Sequence, residues 1–156
     1  MWLVATVILM ALLVYDLRWL LLPNRLVYPL TLLAASFVAF QAVALQNWTV
    51  LLHALLGAIV LSGLFWSLFQ ISQGRWIGGG DVKIAVGLGL LAGSAQQSLL
   101  LLFIASLLGT LYGLPILIRK RPSHKVPFGP FLITATVIVV LWGQAAADWY
   151  LRTAGL

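Results

Sequence analysis

Cysteine and glutamate are both missing from this sequence, and only three of its 156 residues are acidic. Without cysteine there is no disulfide, no thiolate nucleophile and none of the commonest zinc sites. Charged residues of either sign make up 8% of the chain against 63% hydrophobic residues, and the mean hydropathy is +1.10. So few polar side chains cannot cover a globular surface in water, which makes this an integral membrane protein. Internal repeats and low-complexity linkers are lacking too. Each spanning helix uses about 20 residues, so the expectation is one transmembrane domain over 1–156 with no soluble unit left over.

What is present is apolar sequence in six segments, roughly 1–21, 26–45, 49–72, 82–96, 97–118 and 128–148. The expected fold is all-α, a bundle of about six transmembrane helices. The formal charge of +6 would suggest nucleic acid in a soluble protein, but the basic residues here follow the loops instead, and no nucleic-acid partner is expected. Arg18 and Arg25 flank the first turn, Arg75 and Lys83 the third, and Arg119, Lys120, Arg121 and Lys125 fill the fifth. The second and fourth turns, around Gln46-Asn47 and Ser94 to Ser98, hold none. The positive-inside rule then puts the three charged loops in the cytoplasm and both termini on the opposite face, with Arg152 in the outer tail. The first segment lacks a basic start and a small-residue cleavage pattern, so it reads as a retained helix rather than a signal peptide.

Two of the acidic residues fall on the cytoplasmic side. Asp16 lies near the inner end of the first helix, in "VYDLRWLLLPNRL", and Asp81 opens the fourth, in "GGGDVK". A carboxylate in a bilayer costs about 2.5–3.5 kcal/mol at a helix centre and less near the interface. For Asp81 a structural use is at hand, because an aspartate between a glycine loop and an apolar helix reads as an N-cap. For Asp16 the corresponding use is weaker. Its charge opposes the dipole at a helix C-terminus, and an ion pair with Arg18 or Arg25 near an interface contributes only about 0–1 kcal/mol. Two aspartates that meet at a membrane edge are also the minimum equipment for aspartic peptide hydrolysis. Brought close, they hold one proton between them. The ionised member then takes a proton from an attacking water while the protonated member donates to the peptide carbonyl. Glycines 78 to 80 suit close approach of a substrate backbone, or a positive φ at Gly80. The third acidic residue, Asp148, sits on the outer side with Arg152 and belongs to the surface.

At these residues the chain resembles the type IV prepilin peptidases, a family of GxGD-type intramembrane aspartic proteases. Gly78-Gly79-Gly80-Asp81 fits the GxGD pattern, followed by Val82-Lys83-Ile84. "DLRWLLLPNRLVYPL" matches the other aspartate motif, with Asp16 in the catalytic position and Pro23-Asn24 as the proline pair. "VPFGPFL", 126 to 132, resembles the segment opening the last helix of these enzymes, through Pro127, Phe128 and Gly129. The resemblance implies an endopeptidase with Asp16 and Asp81 as catalytic residues, and it implies neither a metal nor a cofactor. The implied location is the bacterial cytoplasmic membrane. The implied partners are pilin-like precursors as substrates, membrane lipids, and pilus or secretion machinery. Many members also carry a cysteine-paired N-terminal portion associated with N-methylation. Its lack here points to a peptidase-only form that leaves the new amino terminus unmethylated.

The other features read as structural. His53 and His124 show no ligand spacing. Trp2, Trp48, Trp76, Trp142 and Trp149 lie where amphipathic rings anchor helices at an interface. The run "RKRPSHK" is an orientation signal that also meets anionic headgroups. Gly87, Gly89 and Gly93, together with the "GTLYG" spacing at 109 to 113, are expected to let helices approach closely. Two other functional classes stay open on the residues alone. A cation- or proton-coupled carrier would use the same aspartates, though it would predict midplane polar groups and a repeat, and neither is present. An inert assembly subunit would tolerate neutralising either aspartate.

Overall fold

A computed structural model describes residues 1–118 and 127–154. Among the described residues the chain forms six α-helices and no strand. They are α1 (Trp2–Trp19), α2 (Asn24–Ala44), α3 (Trp48–Ser72), α4 (Gly79–Ala92), α5 (Ala95–Ile118) and α6 (Gly129–Ala154). Five of them, all but α4, are long and apolar enough to cross a membrane, and the protein is a multi-pass membrane protein. The basic residues 119–125, His124 among them, lie outside the described residues, and of Asp148 only the backbone is described.

Local chemistry ends the helices where the turns are needed. Leu20 takes a left-handed conformation (φ 52°) and its N–H closes α1 on the carbonyl of Asp16 at 2.9 Å. Pro23, extended at φ −68° and ψ 130°, then starts α2, since proline brings a helix-ready φ and no N–H to satisfy. Asn47 caps α3 by accepting from the Thr49 N–H at 3.0 Å. At the other end of α3, Gln73 (φ 51°) and Gly74 (φ 73°) turn the chain toward α4.

The fourth segment differs most from its expected span of 82–96. Gly78, extended at φ −72° and ψ 145°, starts α4 early, and Gly93 at φ 79° stops it after 14 residues. At 1.5 Å per residue that is about 21 Å, short of the roughly 30 Å hydrocarbon core. The short helix is wrapped by the others: Ile84, Ala85 and Leu88 are fully buried, and α4 packs on α2, α3, α5 and α6. Its glycines make this possible. A β-carbon at Gly89 would stand 2.6 Å from Cα of Ala58 in α3, and one at Gly87 would stand 3.0 Å from the Thr31 hydroxyl in α2. Gly87 and Gly89 serve close packing as expected, whereas Gly93, with nothing within 4 Å of a β-carbon among the described residues, is the left-handed C-cap instead. The pair at 109 and 113 does not serve close packing. Among the described residues a β-carbon at Gly113 would have no neighbour within 4 Å, and the atoms nearest one at Gly109 are in the rings of Phe128 and Phe131, at 3.4 and 3.6 Å.

Candidate active site

The C-terminal ends of α1 and α3 meet the N-terminal ends of α2, α4 and α6 at one end of the bundle, and both aspartates lie there. Asp16 stands one turn before the end of α1 and is 5% exposed; Asp81 stands in the first turn of α4 and is 9% exposed. Both line a cavity of about 430 Å³ together with Leu20, Arg75 and Phe128. A second cavity, of about 270 Å³, touches the same two aspartates from the side of Leu22, Asn24 and Lys83. The pair is therefore reached from two directions.

Asp81 is not the N-cap that the sequence suggests. The cap is Gly78, and Asp81 is the third residue of the helix. From there its carboxylate folds back over Gly78, whose backbone N–H it accepts. This is half of a capping box, with the carboxylate at the position where glutamate is commonest. Asp81 lies outside the five spans. Burial, reinforced by the neighbouring Asp16 carboxylate, pushes its pKa up to about 6, although the Gly78 N–H favours the charged form.

Asp16 is held differently. Arg18 lies over the Trp19 ring, 6.0 Å from its centroid, and Arg18 and Arg25 are both exposed, so neither offsets the burial of Asp16. Its Oδ2 is buried, and the backbone N–H that its carboxylate accepts is that of Gly129. That oxygen presses against Gly129, the first residue of α6, in the volume a β-carbon would fill. The start of a helix is the positive end of its dipole, a favourable place for a carboxylate.

The remaining motif residues frame the pair. Lys83 donates from Nζ to Oδ1 of Asn24 at 3.1 Å, tying the fifth residue of α4 to the first residue of α2. Pro23 caps that same α2. Pro127 and Phe128 line the larger cavity, and Phe128 packs between Phe65 and Phe131 with ring centroids 5.9 and 6.4 Å apart. Gly80 does not adopt a positive φ, contrary to one of the expectations for it. A methyl group there would instead meet Cβ of Leu22 at 3.1 Å, so the glycine admits the α1–α2 turn. Gly78, Gly79 and Gly80 all line the smaller cavity.

Several residues at this end were not singled out in the sequence, or were given another role. Trp76, read as an interface anchor, is 73% exposed and lines the larger aspartate cavity beside Ile77. Phe65 and Phe131 lie in apolar runs with nothing local to mark them. A tryptophan two residues before the first glycine of the glycine-aspartate motif was the one available signal.

The model of the type IV leader peptidase family matches residues 3–114. Curated relatives carry the name prepilin leader peptidase/N-methyltransferase. One from Aeromonas salmonicida is 32% identical over 153 residues, covering 97% of this chain and 52% of that protein. One from Aeromonas hydrophila is 32% identical over 151 residues, covering 96% and 51%. One from Xanthomonas campestris pv. campestris is 34% identical over 143 residues, covering 90% and 49%. The chain thus spans about half the length of the curated relatives it matches. No solved structure matches it significantly.

Proposed function

The chain belongs to the type IV leader peptidase family, and on that premise we propose that it is a membrane-embedded aspartic endopeptidase removing short leader peptides from type IV pilin-like precursors. The observation that carries this reading is the shared cavity, in which buried carboxylates from α1 and α4 face one space. Asp16 and Asp81 are the catalytic pair. One proton is held between them, because two close carboxylates do not both ionise readily. The ionised member takes a proton from water as its oxygen bonds to the scissile carbonyl carbon. The other gives its proton to the carbonyl oxygen. Collapse of the tetrahedral intermediate breaks the C–N bond, and a proton passes to the departing amine.

The glycines of 78–80, Pro23 with Asn24 and Lys83, and Pro127 to Gly129 fix the positions of the carboxylates rather than reacting. The positive-inside pattern supports cleavage at the cytoplasmic face and both termini on the other side. Cysteine introduced as Gln46→Cys is expected to react with an impermeant thiol reagent from outside intact cells, and Gln73→Cys is not. The reverse labelling would overturn the orientation. Neither a carrier nor an inert subunit finds support among relatives named as peptidases.

Co-expression with candidate pilin-like precursors, followed by mass spectrometry of the product, tests the activity. A precursor shortened at its amino end by a leader segment is the expected result. Precursors left intact beside correctly inserted enzyme would contradict it.

A further inference from the structure

An apolar groove of about 440 Å³ adjoins the aspartate cavity between α3, α5 and α6. The two spaces share Trp76, Ile77 and Phe128 in their walls, so they lie side by side. The larger aspartate cavity has Arg75 and the two carboxylates among its lining, whereas among the described residues no charged side chain lines the groove. Its Thr110 hydroxyl already donates to the carbonyl of Ser106 at 2.8 Å, which leaves that donor no call for a polar ligand. Along α5 the lining runs from Leu102 to Gly113, about 16 Å or three helical turns at 1.5 Å per residue. Gly109 and Gly113 stand one above the other on that face. Among the described residues the volume beside Gly113 is unfilled, so that glycine opens the groove, while the rings of Phe128 and Phe131 border it at Gly109, 3.4 and 3.6 Å from where a β-carbon would stand.

We propose that this groove holds the apolar segment that follows the leader in the precursor, lying along α5 with its girth limited by Gly109 and Gly113. The proposal rests on the peptidase reading above. A polypeptide cut between Asp16 and Asp81 leaves the charged cavity past Trp76 and Phe128, and the adjoining space beyond them is apolar and runs for about three turns along α5. A segment that is polar before the scissile bond and apolar after it matches both halves. Side chains at 109 or 113 larger than hydrogen would narrow the path without touching the carboxylates.

The test uses the full chain in lipid vesicles with a pilin-like precursor. Gly113→Leu fills the open volume, and it is expected to raise KM for the precursor roughly tenfold, about the effect of unburying one large apolar side chain, with kcat little changed. The same variant is expected to cut a short leader-spanning peptide, lacking the apolar segment, as well as the unsubstituted chain does. A second measurement is independent of turnover. Thr110→p-benzoylphenylalanine in the Asp81→Asn background should photocrosslink to the apolar segment of the precursor. The same label introduced at the exposed Leu32 of α2 is the background control. Crosslinking no stronger from 110 than from 32 overturns the groove assignment, as would occupancy by a lipid acyl chain alone. If the unsubstituted chain cleaves the precursor while that happens, the peptidase reading survives and only the groove fails. If crosslinking is specific but no precursor is cleaved, the groove stands and the peptidase reading fails.

Discussion

Oδ2 of Asp16 occupies the volume that a β-carbon on Gly129 would need. The contact joins the last turn of α1 to the first residue of α6 and explains why a glycine must stand there: any side chain would displace the carboxylate. Gly129→Ala is therefore expected to move Asp16 and lower kcat on the order of 100-fold, the usual effect of an ångström-scale misplacement of a reacting group. Turnover at the parental rate, with the variant correctly inserted, would remove Gly129 from the site.

The crossing of α3 and α4 gives a stability prediction with its own control. A β-carbon at Gly89 would be 2.7 Å from the Gly57 carbonyl, whereas one at Gly63 would have no neighbour within 4 Å among the described residues. Gly89→Ala should destabilise by about 1–3 kcal/mol through overpacking. Gly63→Ala should stabilise by up to about 1 kcal/mol through helix propensity. Reversible unfolding in detergent compares them, and equal midpoints would mean that α4 is not clamped where the structure puts it.

The link from Lys83 to Asn24 is exposed, so its contribution is modest. Asn24→Ala should reduce kcat/KM about fivefold, in keeping with roughly 1 kcal/mol for a single hydrogen bond, by loosening the first turn of α4 beneath Asp81. Lys83→Ala should act alike, and the double change should add little because one bond is lost in every case. Strict additivity of the two single effects would show that they act separately.

Asp81 retains its proton up to about pH 6, chiefly through burial and then through the charge of Asp16. Above that value both carboxylates are ionised and the proton donor is lost, so activity should fall as pH rises through the upper constant of the pair. Well below it both are protonated and the base is lost, giving a bell-shaped profile. Removing the Asp16 charge in Asp16→Asn should move the Asp81 titration downward. Infrared difference spectroscopy of the protonated carboxyl band would follow it. A midpoint unchanged or raised in Asp16→Asn would separate the two groups electrostatically.

Hydropathy located all six helices, because apolar runs separated by short polar or charged turns leave few alternatives in a membrane. It misplaced the ends of α4, since "VKIAVGLGLLAGSAQQSLL" is apolar almost throughout and only the left-handed conformation at Gly93 breaks it. The role of Asp81 at the helix start was ambiguous for a similar reason: three consecutive glycines offer several caps, and Gly78 is the one used. Spacing alone could not separate Gly57 and Gly89, which seat helices on each other, from Gly109 and Gly113, which line a groove. Both pairs are small residues on apolar helices, and the difference lies in what the tertiary arrangement sets opposite them. The contact of Asp16 with Gly129 had no local signal beyond the Pro-Phe-Gly-Pro segment, because it is made between the two ends of the chain.

The central claim is that Asp16 and Asp81 act as one unit. Steady-state cleavage of a pilin-like precursor by Asp16→Asn, Asp81→Asn and the double variant, each matched for membrane insertion, tests it most directly. Either single change is expected to abolish cleavage and the double change to be no worse, as for groups sharing one proton in one step. Full activity in either single variant would contradict it.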